Sequence, residues 1–374
     1  MAKRTDINSF FNILIPLDWE DLTIADLIKF SGGSQPPQKV FIYREEEGYI
    51  RLIQTRDFRT DEYKTFIPFH LAKKFCEKDD IMIGRYGPPV FQIFRGLEGA
   101  YNVALIKASP NNKVDKNYCY YFLIRPELRL YIESLSQRSG GQTGVDIDKL
   151  NSYSFPLPPL PEQKAIALIL SLMDEAINKN NSLIVNKELQ KKWLMQNLLT
   201  GKKRLKGFSS EWKEYHLGEM FSERNETKYF DLPLLSVGAN GIYPQSDSIK
   251  KDTSNEDKTK YKRICPYDIG YNTMRMWQGR SALSSLEGIV SPAYTIVTPK
   301  KNADSLFFSY LFKTPKLMNL FWRNSQGLVD DTLNCKFKDF SIIKIHLPDK
   351  TEQTAIAQVL QTADKEIQLL KVKI

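Results

Sequence analysis

Six short stretches of this 374-residue chain carry side chains suited to the edges of nucleic-acid bases. In the first half they are 54–59, with Arg56 and Arg59; 84–87, with Arg85 and Tyr86; and 137–142, with Arg138 and Gln142. In the second half they are 238–241, with Asn240; 272–280, with Asn272, Arg275, Trp277, Gln278 and Arg280; and 324–327, with Gln326. An arginine fork matches guanine in the major groove, and an Asn or Gln amide matches adenine. Backbone amides of Gly/Ser turns, with nearby Lys or Arg, hold phosphates. Any one of these stretches could equally be an ordinary solvated turn. The expectation is that at least one in each half touches DNA.

No constellation for catalysis accompanies them. There is no G-x-G-x-x-G and no P-loop. An amino-methyltransferase would need an acidic residue or Asn before Pro-Pro-aromatic, and Gly87-Pro88-Pro89-Val90 does not qualify. Glu211-Trp212-Lys213 has no suitably placed upstream Asp and reads as a chance match to a nuclease motif. The histidines His70, His216 and His346 are scattered, and His70 and His346 are expected to be structural. The cysteines Cys76, Cys119, Cys265 and Cys335 form no C-x-x-C pair, which argues against a zinc ribbon and for four buried thiols in a reducing compartment. Chemistry, if it follows recognition, is expected from partners.

The composition allows DNA as a ligand. Hydrophobic residues make up 42% and the formal net charge is +9, so the chain is globular and basic. The N-terminus lacks a signal-peptide apolar region, and no run of 18 apolar residues exists. A cytoplasmic, non-membrane protein is expected.

What must position the loops is legible as a repeat. LPPLPEQKAIALILSLMDEAI from Leu157 and LPDKTEQTAIAQVLQTADKEI from Leu347 share ten identities in 21 gapless positions at an offset of 190. Among them are Glu162/Glu352, Gln163/Gln353 and Asp174/Asp364. Weaker echoes flank this core: Trp19 and Trp212 each open a block, Asp80-Ile81 matches Asp268-Ile269, Ala100-Tyr101 matches Ala293-Tyr294, and Ser139 and Gly141 match Ser325 and Gly327. The chain therefore reads as two copies of a block of about 140 residues followed by a helix.

Pro161 and Glu162 suit a helix start, and Thr351 is the expected N-cap of the second copy. Apolar residues then follow a heptad: Ile356, Leu360, Ala363, Ile367, Leu370 and Ile374, against Ile166, Leu170, Met173, Ile177, Asn180 and Ile184. This spacing predicts a two-helix coiled coil, in which Asn180 either fixes register or marks a break. A helix over 162–199 would be roughly 57 Å long. The basic stretch 202–206 at its end is either a phosphate contact or a solvated linker. Within the blocks, mixed α/β structure is expected, with strands at 40–43, 81–83, 103–106, 294–297 and 342–345 and helical segments over 118–135 and 305–323.

FPLPPLPEQKAIA, the heptad helix after it, and LLTGKKRLKGFSSEWKEYHLGEMF resemble the junction between the two target-recognition domains of Type I restriction–modification DNA-specificity subunits. GRYGPPV after Asp80-Ile81, and Ser291-Pro292-Ala293-Tyr294, resemble segments of such domains. The resemblance covers essentially the whole chain. It implies an α+β fold: two α/β target-recognition domains joined by long antiparallel coiled-coil helices, with pseudo-twofold symmetry. It also implies a non-catalytic chain that reads a bipartite double-stranded DNA target. Two methyltransferase subunits, using S-adenosylmethionine on adenine N6, and restriction–translocase subunits, using ATP and Mg, would be its partners.

The expected divisions are a first domain over 1–160, a spacer helix and linker over 161–207, a second domain over 208–350 and a second spacer helix over 351–374. That last helix is the shorter, with no counterpart of WLMQNLLTGKKR. The alternatives are a self-contained DNA methyltransferase or nuclease, or a non-catalytic protein scaffold using the prolines at 156–161.

Overall fold

The structure is a computed structural model that describes residues 15–87, 89–136, 144–238, 241–247, 256–327 and 332–372. It divides into two compact units, one ending at Ala176 and the other beginning at Ile177.

The first unit opens with strand β1 (Glu20–Thr23), a single turn α1 (Ile24–Leu27) and β2 (Ile28–Gly32). Short strands follow: β3 (Tyr49–Ile53), β4 (Phe66–Pro68), β5 (Phe75–Cys76), β6 (Ile81–Gly84), β7 (Ile93–Phe94), β8 (Gly99–Tyr101) and β9 (Leu105–Pro110). Helices α2 (Lys116–Leu123), α3 (Pro126–Ser136) and α4 (Ile147–Asn151) lead to β10 (Ser154–Leu157), which closes antiparallel on β1. The central sheet has the order β2-β9-β6-β7, and a second has the order β4-β3-β8-β5. The long helix α5 (Leu160–Leu198) then carries the chain into the second unit.

The second unit repeats this plan. It contains β11 (Lys213–His216), α6 (Leu217–Met220), β12 (Phe221–Glu223), β13 (Leu235–Gly238), β14 (Gly241–Pro244), β15 (Lys262–Ile264), β16 (Ile269–Asn272), β17 (Ser281–Leu283), β18 (Gly288–Val290) and β19 (Tyr294–Pro299). After these come α7 (Ser305–Leu311), α8 (Pro315–Asn324), α9 (Phe337–Ser341), β20 (Lys344–Leu347) and α10 (Lys350–Val372). Its central sheet, β12-β19-β16-β17, matches β2-β9-β6-β7 strand for strand, and β11 pairs β20 as β1 pairs β10. In place of the second four-stranded sheet it has two pairs, β13-β14 and β15-β18, linked by a parallel bridge between Leu234 and Ile289 where the first unit pairs β3 with β8.

Each unit encloses its own core. In the first, Ile81, Ile83, Phe122, Leu128 and Phe155 pack together, with the Phe122 and Phe155 rings 3.8 Å apart. In the second, Phe221, Phe308, Phe312, Phe321 and Phe340 form one ring cluster, with Tyr271 stacked on Phe340 at 5.5 Å. Each fully buried ring contributes roughly 1.5–3 kcal/mol relative to exposure.

Several sequence expectations change here. The run 40–43 is a 3-10 turn and an isolated bridge, Ile42 to Phe66, because Pro36-Pro37 supplies no amide donors to a ladder. The expected strands at 103–106 and 342–345 begin later, at Leu105 and Lys344. The helical segments expected over 118–135 and 305–323 are each two helices, broken ahead of Pro126 and Pro315, where proline removes a helical N–H and restrains its predecessor.

Asp349, not Thr351, caps α10: its carboxylate accepts from the Glu352 amide at 3.0 Å. Cys265 is only half-buried, whereas the other three thiols are buried. His70 and His346 are exposed, the latter on the outward face of β20. The Ala100-Tyr101/Ala293-Tyr294 echo is out of register, since Tyr101 lies in β8 while Tyr294 pairs β16 in the manner of Leu105 on β6. Among the described residues no helix is long and apolar enough to cross a membrane, and no cluster of His, Cys, Asp and Glu could hold a metal ion.

Candidate nucleic-acid interface

The identities of the repeat have a mechanical meaning. Trp19 donates its indole N–H to Glu162 at 3.2 Å, and Trp212 donates to Glu352 at 3.3 Å. Gln163 donates to the carbonyls of Pro158 and Lys113 and accepts from the Asp115 amide. Gln353 does the same with Pro348, Asn302 and Asp304. Asp115 and Asp304 in turn cap α2 and α7. About three turns further along each long helix, Tyr121 donates to Asp174 at 2.9 Å and Tyr310 to Asp364 at 2.7 Å. Each block is thus locked to the start of its own long helix by the same three side chains, which explains Glu, Gln and Asp as framework.

A second repeated device shapes the turn before the central strand. The Glu77 amide donates to the Asp80 carboxylate, as the Cys265 amide does to Asp268. Asp80 also accepts from Lys107 at 2.7 Å and Lys116 at 2.8 Å, whereas Asp268 accepts from Arg224 at 2.7 Å and Thr298 at 2.8 Å. Burial alone would raise the Asp80 carboxyl, but the two ammoniums and the amide hold it down at about 2. These turns fix where β6 and β16 begin, and the candidate reading loops leave from the other ends of those strands.

In the first unit, β6 runs out into Arg85 and Tyr86. The Arg85 guanidinium lies over the Tyr86 ring, 5.1 Å from its centroid, and Tyr86 is exposed. The loop is stitched at its base, because the Val145 amide donates to the Arg85 carbonyl and Tyr86 bridges Gly144. Arg59 joins this neighbourhood through Gln92, which accepts its guanidinium at 2.6 Å while the Gln92 carbonyl accepts from the Gly84 amide. Arg56 is exposed but turns back on its own loop, donating to Thr65 and the Tyr63 carbonyl. Arg138 and Gln142 lie outside the described residues.

In the second unit, β16 runs into the longer loop 272–280. The Asn272 carboxamide accepts from the Met274 amide, a 3-10 turn follows over Met276–Gln278, and Gly279 closes it at φ 73°, a left-handed conformation suited to glycine. Arg275 and Arg280 are exposed, and Arg275 donates weakly to Gln278 at 3.5 Å. Trp277 is half-buried against the core, with its indole N–H donating to the Met274 carbonyl. The loop is stitched as in the first unit, with the Cys335 amide donating to the Thr273 carbonyl. Gln326 sits in the adjoining ladder with Asn334 and donates to Asp339 at 3.3 Å. Asn240 lies outside the described residues.

So the structure gathers Arg59, Arg85 and Tyr86 at one loop cluster and Asn272, Arg275, Gln278 and Arg280 at the matching place in the other unit. Arg56 and Trp277 serve chiefly their own turns. The stitching residues Gln92, Thr273 and Cys335 carried no local signal, since their role depends on partners distant in sequence.

A family model described as the Type I restriction modification DNA specificity domain matches residues 16–187 and again 209–374. The chain is 25% identical over 399 residues to the Type I restriction enzyme MjaVIII specificity subunit of Methanocaldococcus jannaschii, covering 98% of this chain and 91% of that one. It is 27% identical over 413 residues to the putative MjaX specificity subunit of the same organism, covering 98% and 90%. Among solved structures, the Type I restriction–modification S subunit from M. genitalium superposes with a TM-score of 0.60 at 16% identity, covering 100% of this chain and 94% of that one. The HsdS subunit from Thermoanaerobacter tengcongensis gives 0.50 at 14%, covering 96% and 93%.

Proposed function

We propose that the two blocks of this chain, which belongs to the Type I restriction–modification DNA-specificity family, each read one half of a bipartite double-stranded DNA target. Membership makes the chain the recognition subunit of a restriction–modification complex and not its catalytic one. The observation that carries the division of labour is the stitched loop leaving the central strand, present in both units but built from different residues: Arg85-Tyr86 in one, Asn272 to Arg280 in the other. A common frame with unlike exposed side chains is what reading two different half-sites requires. The functional divisions we adopt are 1–160 and 208–350 for the readers, with 161–207 and 351–374 as spacers.

In this reading two modification subunits dock on the chain and methylate adenine N6 with S-adenosylmethionine, and restriction–translocase subunits add ATP- and Mg-dependent cleavage. A docking surface is at hand on α5, where Leu168, Ile169, Leu172 and Met173 are each more than half exposed.

The test is to map modified adenines in DNA from cells carrying the chain with its methyltransferase partner, before and after exchanging 208–345 for a homologous block. One half-site should change and the other persist. A change in both halves would defeat modular reading. Methyl transfer or cutting by the purified chain alone would defeat the recognition role.

A further inference from the structure

Where α5 ends beside the start of α8, a cleft of about 690 Å³ opens in the second unit. Four lysines line it: Lys192 and Lys202 from the α5 side, Lys313 and Lys316 from the α8 side. Other cations of this unit are neutralised: Lys187 and Lys191 on α5 by Glu366 and Asp364, Lys371 on α10 by Glu188, and Arg204 just after α5 by Glu352. Among the described residues Lys192, Lys202 and Lys316 are ion-paired to no carboxylate. Three uncompensated ammoniums around one concavity repel one another, and a bound anion would relieve that repulsion. Burial, and then Lys191 nearby, push the Lys313 amine below its usual value, with Asp364 acting against them.

The cleft adjoins the reading loop. A Cβ added at Gly279 would lie 3.4 Å from the Met318 sulfur and 3.7 Å from the Lys313 Cα, so the turn Met276–Gln278 rests on the end of α8 that borders the cleft. A duplex engaged by the 272–280 loop must pass its backbone over the neighbouring surface. The charged groups lining the cleft are point-charge ammoniums, not planar guanidinium forks, which suits phosphates held without regard to sequence. At the equivalent helix of the first unit, α3, the neighbouring cation Arg125 is engaged with Glu127 at 3.5 Å and lies over the Phe122 ring.

We propose that this lysine-lined cleft anchors phosphates of the DNA backbone flanking the half-site read by the 272–280 loop. The inference rests on the DNA-reading function above. The test compares the full chain, assembled with its modification subunits, with the K192Q/K202Q/K316Q variant and with the K187Q/K371Q control. A duplex bearing the mapped target is titrated by fluorescence anisotropy between 50 and 200 mM salt.

Losing three phosphate contacts makes the log–log salt slope shallower by about 2.7, so the affinity ratio between those salts shrinks by about 40-fold. The control keeps the wild-type slope, the modified adenines stay the same, and each single substitution removes about a third of the effect. A triple variant with the wild-type slope overturns the anchor. So does one that binds DNA normally but no longer co-purifies with the modification subunits, which would assign the cleft to an acidic protein surface. If the wild-type complex itself shows no sequence-specific DNA binding, the underlying reading fails and not only the cleft.

Discussion

The two units share a frame and differ in how charge is placed on it. At the start of α5, Glu162 is half-exposed and accepts the Trp19 indole. At the start of α10, Glu352 is 1% exposed and also takes a two-point contact from Arg204, at 2.5 and 2.6 Å. Before the central strand, Asp80 faces two lysines where Asp268 faces one arginine and a threonine. The central sheets superpose in strand order, yet the loops leaving them differ in length and in side chains. The duplicated structure has kept the hydrogen bonds that hold block to helix and changed what faces solvent, and only the latter can separate two DNA half-sites.

Removing the carboxylate from each helix start should widen the contrast most. Glu352→Ala leaves Arg204 beside a buried gap. Breaking a fully buried pair costs 3–5 kcal/mol, and because Arg204 keeps some exposure about 2–4 kcal/mol is expected here. Glu162→Ala loses one hydrogen bond at a half-exposed site, about 1 kcal/mol. Chemical denaturation of the two variants measures the gap, and equal losses would mean that Arg204 contributes nothing to the second clamp.

The aspartate turns give a smaller effect with a pH signature. The Asp80 carboxyl sits at about 2 against an ordinary 3.8. A depressed folded value stabilises above the unfolded value and is lost as pH falls, so the window is from about pH 4 down to about pH 2. The shift corresponds to roughly 2 kcal/mol at neutral pH. Asp80→Asn should therefore destabilise the first unit by about that much at pH 7 and by almost nothing near pH 2. A loss of the same size at both pH values would show that the carboxylate acts by shape and not by charge.

Much of this frame was legible in the amino-acid sequence, because three of the ten identities around 157–177 and 347–367, Glu162/Glu352, Gln163/Gln353 and Asp174/Asp364, are the residues that grip each block. Their mechanism was not. Glu162 reads locally as a favourable charge at a helix start, and nothing near it announces Trp19, 143 residues away. The Asp80/Asp268 echo was in register because both carboxylates close the same turn, whereas the Ala-Tyr echo was two apolar neighbours in unrelated strands. The candidate readers were found by composition, which locates exposed polar loops. It could not tell Arg59, which reaches Gln92, from Arg56, which folds back onto Thr65, because that difference depends on tertiary partners.

The smallest predicted effect concerns a contact between equivalent positions of the repeat. Asn180 on α5 and Leu370 on α10 are 190 residues apart, the offset of the repeat, and the Asn180 amide donates to the Leu370 carbonyl at 3.0 Å. That carbonyl lies in the last described turn of α10. Of the two roles open to a polar residue in the apolar seam, the bond favours fixing register. Ion pairs on either side, Lys187 with Glu366 and Lys371 with Glu188, set the same antiparallel alignment but are exposed and worth little each. Asn180→Ala should therefore cost about 1 kcal/mol, seen as roughly five-fold faster amide exchange in the final turn of α10 with the rest of the second unit unchanged. Asn180→Leu separates bond from packing, since an apolar seam with no hydrogen bond should recover stability but not protection of that turn. Full protection in the leucine variant would mean that apolar contact alone sets the register and that the asparagine is dispensable.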